Sequence, residues 1–138
     1  MQWNRLIRNA AMLAAGMASI SSAFAQGEVI AVFTKNLTNP FFHNERVGAT
    51  NAAAMLGAKV VQYTPTKPDS IPEQLSQIED VVVKKPSAAV LVPVDYKAMV
   101  PGLEKMNAAG VPVVNITDRI AAGKTVSFVG KIGRATSE

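Results

Sequence analysis

Short apolar runs alternate with longer amphipathic stretches along residues 28–129. Glu28 to Thr34 (EVIAVFT) is apolar and β-branched, which predicts a strand. The polar stretch after it ends in Asn-Pro, with Asn39 placed to cap a helix whose first residue is Pro40. An Ala-rich continuation to Leu56 carries that helix, and Gly57 supplies a left-handed stop. Lys59–Tyr63 predicts a second strand. Pro65 and Pro68 then interrupt the chain, and Ser70-Ile71-Pro72-Glu73 has the spacing of a capping box. The helix it opens carries Ile71, Leu75, Ile78 and Val82 as one apolar stripe, and Lys84, Lys85 and Pro86 close it. Ala88–Val92 (AAVLV) is an unbroken apolar run, as expected of a central parallel strand covered on both faces. Met99, Leu103 and Met106 repeat at helical spacing as far as Gly110. Val111–Ile116 and Thr125–Val129 predict two further strands, and Lys131–Glu138 the start of another helix.

Strands joined by helical crossovers are parallel, because antiparallel neighbours need only a short turn. The predicted architecture is therefore α/β with a doubly wound parallel sheet. Ligands of such sheets bind beyond the carboxyl ends of the strands, near the point where strand order reverses. Candidate site residues are accordingly those that directly follow strands.

Asn39, Phe41 and Phe42 follow the first strand, Asp95 and Tyr96 the third, and Asp118 and Arg119 the fourth. Carboxylates accept from hydroxyls, a guanidinium donates to two oxygens, and a flat ring covers an apolar sugar face, so this set suits a polyhydroxylated ring. Each residue also has a purely structural reading. Asn39 serves equally as a helix cap, Asp95 as the cap of a helix starting near Tyr96, and Asp118-Arg119 as a solvated turn pair. Adjacent helical residues point about 100° apart, so Phe41 and Phe42 are not both expected on one face. His43 has no identifiable partner and reads as a surface or rim residue.

Composition narrows the chemistry. The 138 residues are 49% hydrophobic and 17% charged, which excludes a disordered polyelectrolyte. No cysteine is present and His43 is the one histidine, so thiol nucleophiles and zinc clusters are excluded, and no metal or other cofactor is expected. Arg5 and Arg8 precede an apolar stretch, Ala10–Ile20, and the small residues Ala23 and Ala25 form an A-x-A cleavage site. This is the order of a secretory signal peptide over residues 1–25, cleaved after Ala25, which predicts export to a periplasm and one domain over residues 26–138. The excess of cations remaining beyond the leader is too small to point to nucleic acid. No phosphate loop, G-x-G-x-x-G, G-x-S-x-G or H-E-x-x-H occurs, and Asp95 with Asp118 fits hydroxyl binding as well as a glycosidase pair. No catalytic residue is assigned.

Residues Val29–Phe42 (VIAVFTKNLTNPFF), Val90–Val114 (VLVPVDYKAMVPGLEKMNAAGVPVV) and Asp118-Arg119 resemble the periplasmic sugar-binding proteins of ABC transporters, of the ribose-binding type. The resemblance implies a two-lobed receptor that closes over a monosaccharide, a pentose or hexose, and delivers it to membrane permease subunits. It further implies sugar contacts from Asn39, Phe41, Phe42, Asp95, Asp118 and Arg119. Members of the family continue after the fifth strand with an S-D-N-like loop, where this chain has Lys131-Ile132-Gly133-Arg134, and they are about twice as long. The chain is thus expected to form the N-terminal lobe, to bind sugars weakly by itself, and to self-associate through the exposed interlobe surface. Two other readings share the fold: the effector-binding core of a lac-repressor-like regulator, and a truncated, non-functional fragment of the sugar-binding family.

Overall fold

The computed structural model describes residues 27–130. The expected leader at 1–25 with its cleavage site, and the expected helix start at Lys131–Glu138, lie outside the described residues. The elements run β1 (Val29–Phe33), α1 (Pro40–Met55), β2 (Lys59–Tyr63), α2 (Ile71–Lys84), β3 (Ala88–Leu91), α3 (Val100–Ala108), β4 (Val113–Thr117) and β5 (Ser127–Gly130). All pairings are parallel and the strand order is β2-β1-β3-β4-β5. The order reverses between β1 and β3, which places the expected ligand crevice beyond Phe33 and Leu91.

One face of the sheet carries the main core. Ala31, Phe33, Ala89, Leu91 and Val113 point towards α2 and α3, where Ile78, Val81, Leu103 and Met106 are fully buried. Gly102 lets α3 approach α2 closely, since a Cβ there would stand 2.8 Å from Ile78 Cδ1. On the other face, α1 packs over β1 and β2, while Val90, Val114 and Ile116 stay half-buried. The expectation that β3 is covered on both faces is corrected accordingly: Ala88 and Val90 are half-buried because α1 lies to one side.

Local signals explain most boundaries. Asn39 Oδ1 accepts from the Phe41 amide at 2.9 Å with Pro40 in the first turn, and Gly57 adopts φ 71° after the α1 terminus. Two details of α2 differ from the sequence reading. The capping box does not form: Ser70 makes no side-chain cap bond, and Glu73 instead accepts from the Thr66 and Lys67 amides and the Thr66 hydroxyl, tying α2 to the loop before it. The buried face of α2 is Gln74, Ile78 and Val81, with Ile71 exposed, because Gln74 turns inward to bind the loop after β3. No helix among the described residues is long and apolar enough to cross a membrane.

Candidate functional site

The loops beyond β1, β3 and β4 are each fixed by a buried side-chain amide. After β1, Asn36 accepts from the Asn39 amide at 2.9 Å, while its own carbonyl accepts from the Arg46 guanidinium at 3.1 Å. After β3, Gln74 donates to the Val92 carbonyl at 3.0 Å and accepts from the Val94 amide at 2.8 Å. After β4, Asn115 donates to the Leu91 and Asp118 carbonyls at 3.1 and 2.9 Å and accepts from the Ile120 amide at 2.9 Å. Buried backbone groups require partners, and these three amides supply them where the sheet ladder stops.

Between these loops lies a cavity of about 320 Å³ lined by Lys35, Val94, Asp95, Tyr96, Asp118 and Arg119. Lys35 Nζ stands 2.5 Å from Asp118 Oδ2. Arg119 does not pair with its neighbour; its guanidinium lies 4.2 Å from the centre of the Phe128 ring. Asp95 Oδ1 accepts from the Lys97 and Ala98 amides at 2.8 and 2.7 Å, and these bonds hold its carboxyl below the ordinary carboxylate range. It therefore heads the turn before α3, which starts only at Val100.

A second cavity of about 470 Å³ opens where β4 and β5 end, lined by Phe41, Glu45, Ile116, Thr117, Val129 and Gly130. Phe41 is 53% exposed and Phe42 only 7%. The two rings meet edge to face at 5.4 Å, so Phe42 is turned into the protein and supports Phe41, which alone of the pair faces outwards. Asn39 is exposed at the head of α1, its side chain engaged as the helix cap.

The structure thus brings Asp95, Asp118 and Arg119 into one cavity and sets Phe41 in a second one beside Thr117, while Phe42 is core. The sequence reading missed Lys35 and Glu45. A cation directly after the first strand and an acid four residues beyond Phe41, on the same side of the helix, were the available signals. His43 is exposed and borders a groove of about 590 Å³ between α1 and β2. There Gln62 donates to the Arg46 carbonyl and Thr50, and the Arg46 guanidinium binds Thr34 and Asn36, so the polar groups serve one another. Among the described residues no group of His, Asp or Glu is placed to hold a metal.

A parallel sheet with helices on both faces and polar side chains gathered beyond its reversal point defines a domain of the doubly wound type. The chain belongs to the periplasmic binding protein family: the model of the periplasmic binding protein domain matches residues 30–132. It is 32% identical over 100 residues to the ribose import binding protein of Bacillus subtilis, covering 72% of this chain and 32% of that protein. It is likewise 32% identical over 111 residues to the D-apiose import binding protein of Actinobacillus succinogenes, covering 80% and 35% respectively. Among solved structures, a carbohydrate transporter solute binding protein from Agrobacterium radiobacter in complex with D-arabinose superposes with a TM-score of 0.71 at 25% identity, covering 75% of this chain and 35% of that one. A periplasmic solute binding protein from Actinobacillus succinogenes with bound D-allose gives 0.65 at 28% identity, covering 69% and 33%. The chain spans about a third of the length of these relatives.

Proposed function

We propose that this chain is a sugar-binding lobe of a periplasmic receptor that serves an ABC-type importer, and that it carries no catalytic activity. The observation that supports this most directly is the cavity at the sheet's reversal point, where Lys35, Asp95, Asp118 and Arg119 converge on about 320 Å³. Carboxylates accept from ring hydroxyls, the ammonium and guanidinium donate to sugar oxygens, and Phe41, from the neighbouring cavity at the end of β4, offers a flat face to the ring's apolar side. Asn39 adds an exposed amide beside Phe41. The relatives named for ribose and D-apiose import support a monosaccharide as ligand.

One lobe covers one side of a sugar, and hydrogen bonds left facing water compete with solvent. The lobe by itself therefore binds weakly, and a partner lobe closing by a hinge provides the remaining contacts. The interlobe surface beyond the strand ends, where Phe41 and Tyr96 are exposed, gives the lobe a surface for self-association. The test is an amide-shift titration with D-ribose, D-allose, D-xylose and D-arabinose. Saturable shifts confined to Lys35, Phe41, Asp95, Asp118 and Arg119, and abolished in Asp118→Ala, are expected. Shifts at other surfaces, or none at millimolar sugar, would count against the reading.

A further inference from the structure

Thr117 is the last residue of β4 and sits at φ 69°, a left-handed value that β-branched residues rarely adopt. The Asp118 amide donates back to the Ile116 carbonyl at 2.9 Å, so Thr117 is the centre of a three-residue turn in its strained form. This turn swings Asp118 and Arg119 out of the strand line and into the cavity shared with Lys35 and Asp95. Such a conformation persists only where its surroundings over-determine it.

Two groups hold it. Asn115 grips the Asp118 carbonyl from within β4. From α1, Glu45 Oε1 accepts a hydrogen bond from the Thr117 hydroxyl across a sequence separation of 72 residues. The second oxygen, Oε2, is buried without a partner. Glu45 lies one helical turn beyond Phe41, so a single carboxyl joins the helix that presents the ring to the turn that presents Asp118 and Arg119.

We propose that the Glu45–Thr117 hydrogen bond is a positioning clasp that sets the aim of Asp118 and Arg119 relative to Phe41. The proposal rests on the sugar-site reading given above and adds to it a residue that acts through Thr117. Burial raises the Glu45 carboxyl above the ordinary carboxylate range, with the Asp118 carboxylate adding to the effect; the Thr117 hydroxyl, Arg46 on α1 and Lys35 after β1 oppose it. The clasp is therefore proton-sensitive, because ionisation changes the charge on the carboxyl that accepts from the Thr117 hydroxyl.

The test is a pH titration of the full chain by two-dimensional NMR, following the Glu45 carboxyl carbon and the Thr117, Asp118 and Arg119 amides. In the wild type the three amides move in a step that coincides with the Glu45 carboxyl. Glu45→Gln keeps an acceptor for Thr117 and cannot ionise, so the amides hold their acidic positions and the step is lost. Glu45→Leu displaces them at every pH. Should that variant fail to fold, Thr117→Gly, which relaxes the backbone and removes the hydroxyl, is expected to lose the coupled step. An unchanged step in Glu45→Gln would assign it to a group other than Glu45 and overturn the proposal, as would amides unmoved in Glu45→Leu. None of these readouts needs a sugar. A D-ribose shift of equal size in wild type and Glu45→Leu would overturn the clasp while leaving the sugar-site reading intact.

Discussion

Gln74, buried on α2, holds Val94 in place from behind: its side-chain oxygen accepts the Val94 amide at 2.8 Å while its nitrogen donates to the Val92 carbonyl at 3.0 Å. The chain between these two bonds is the approach to Asp95. A polar residue deep in the helical layer thus fixes the start of a site loop that the sheet ladder does not reach.

Gln74→Leu keeps the volume and leaves the Val94 amide and Val92 carbonyl buried without partners. A loss of about 2–4 kcal/mol is expected. Urea unfolding of the variant checks it, and an unchanged midpoint and slope would contradict the pairing.

Phe41 and Phe42 differ in exposure, so their truncations are expected to separate binding from stability. Phe42→Ala removes a buried ring and is expected to cost about 3 kcal/mol or more. Phe41→Ala removes a half-exposed ring, so stability stays within about 1 kcal/mol while the sugar-induced shifts at Asp118 and Arg119 are lost. Parallel melts and D-ribose titrations of both variants read the difference.

Gly102 meets α2 at close range, with an added Cβ only 2.8 Å from Ile78 Cδ1 and 3.2 Å from Leu75 Cδ2. Gly102→Ala gains helix propensity but pushes α3 off α2, for a net loss of about 1–3 kcal/mol. Combining it with Ile78→Val should recover part of that loss in a double-mutant cycle.

The pH dependence of stability has two opposed parts. Glu45 titrates above the ordinary value of 4.5, so its contribution is full below that value and is lost as pH rises through the raised one. Asp95 titrates below the ordinary value of 3.8, held by the Ala98 and Lys97 amides, so its contribution is present above that value and is lost as pH falls through the lowered one. Melting temperatures across the acid to neutral range are expected to flatten on the higher side in Glu45→Gln and on the acid side in Asp95→Asn.

Strand and helix order were legible from the apolar runs and from punctuation at Asn39-Pro40, Gly57 and Pro86, because these signals are local. The rim positions of Asp95, Asp118 and Arg119 followed from the rule that places sites after parallel strands. What the sequence did not disclose depends on neighbours distant in the chain. Glu73 matches the capping-box pattern, yet Thr66 and Lys67 claim its carboxylate. Gln74 and Asn115 look like interruptions of apolar patterns until the loops they serve are placed beside them. Phe41 and Phe42 are indistinguishable by type, and only the packing of α1 on β1 and β2 decides which is buried.

Arg119 rests its guanidinium on Phe128, a ring carried by β5, and among the described residues β5 pairs with β4 alone. An outermost strand opens more readily than the strands inside it. Each such fraying event removes the platform under the cation and frees the side chain to reorient. The time the cation spends poised over the cavity is therefore expected to follow how often β5 lifts, and amide exchange at Phe128 would report the readiness of Arg119.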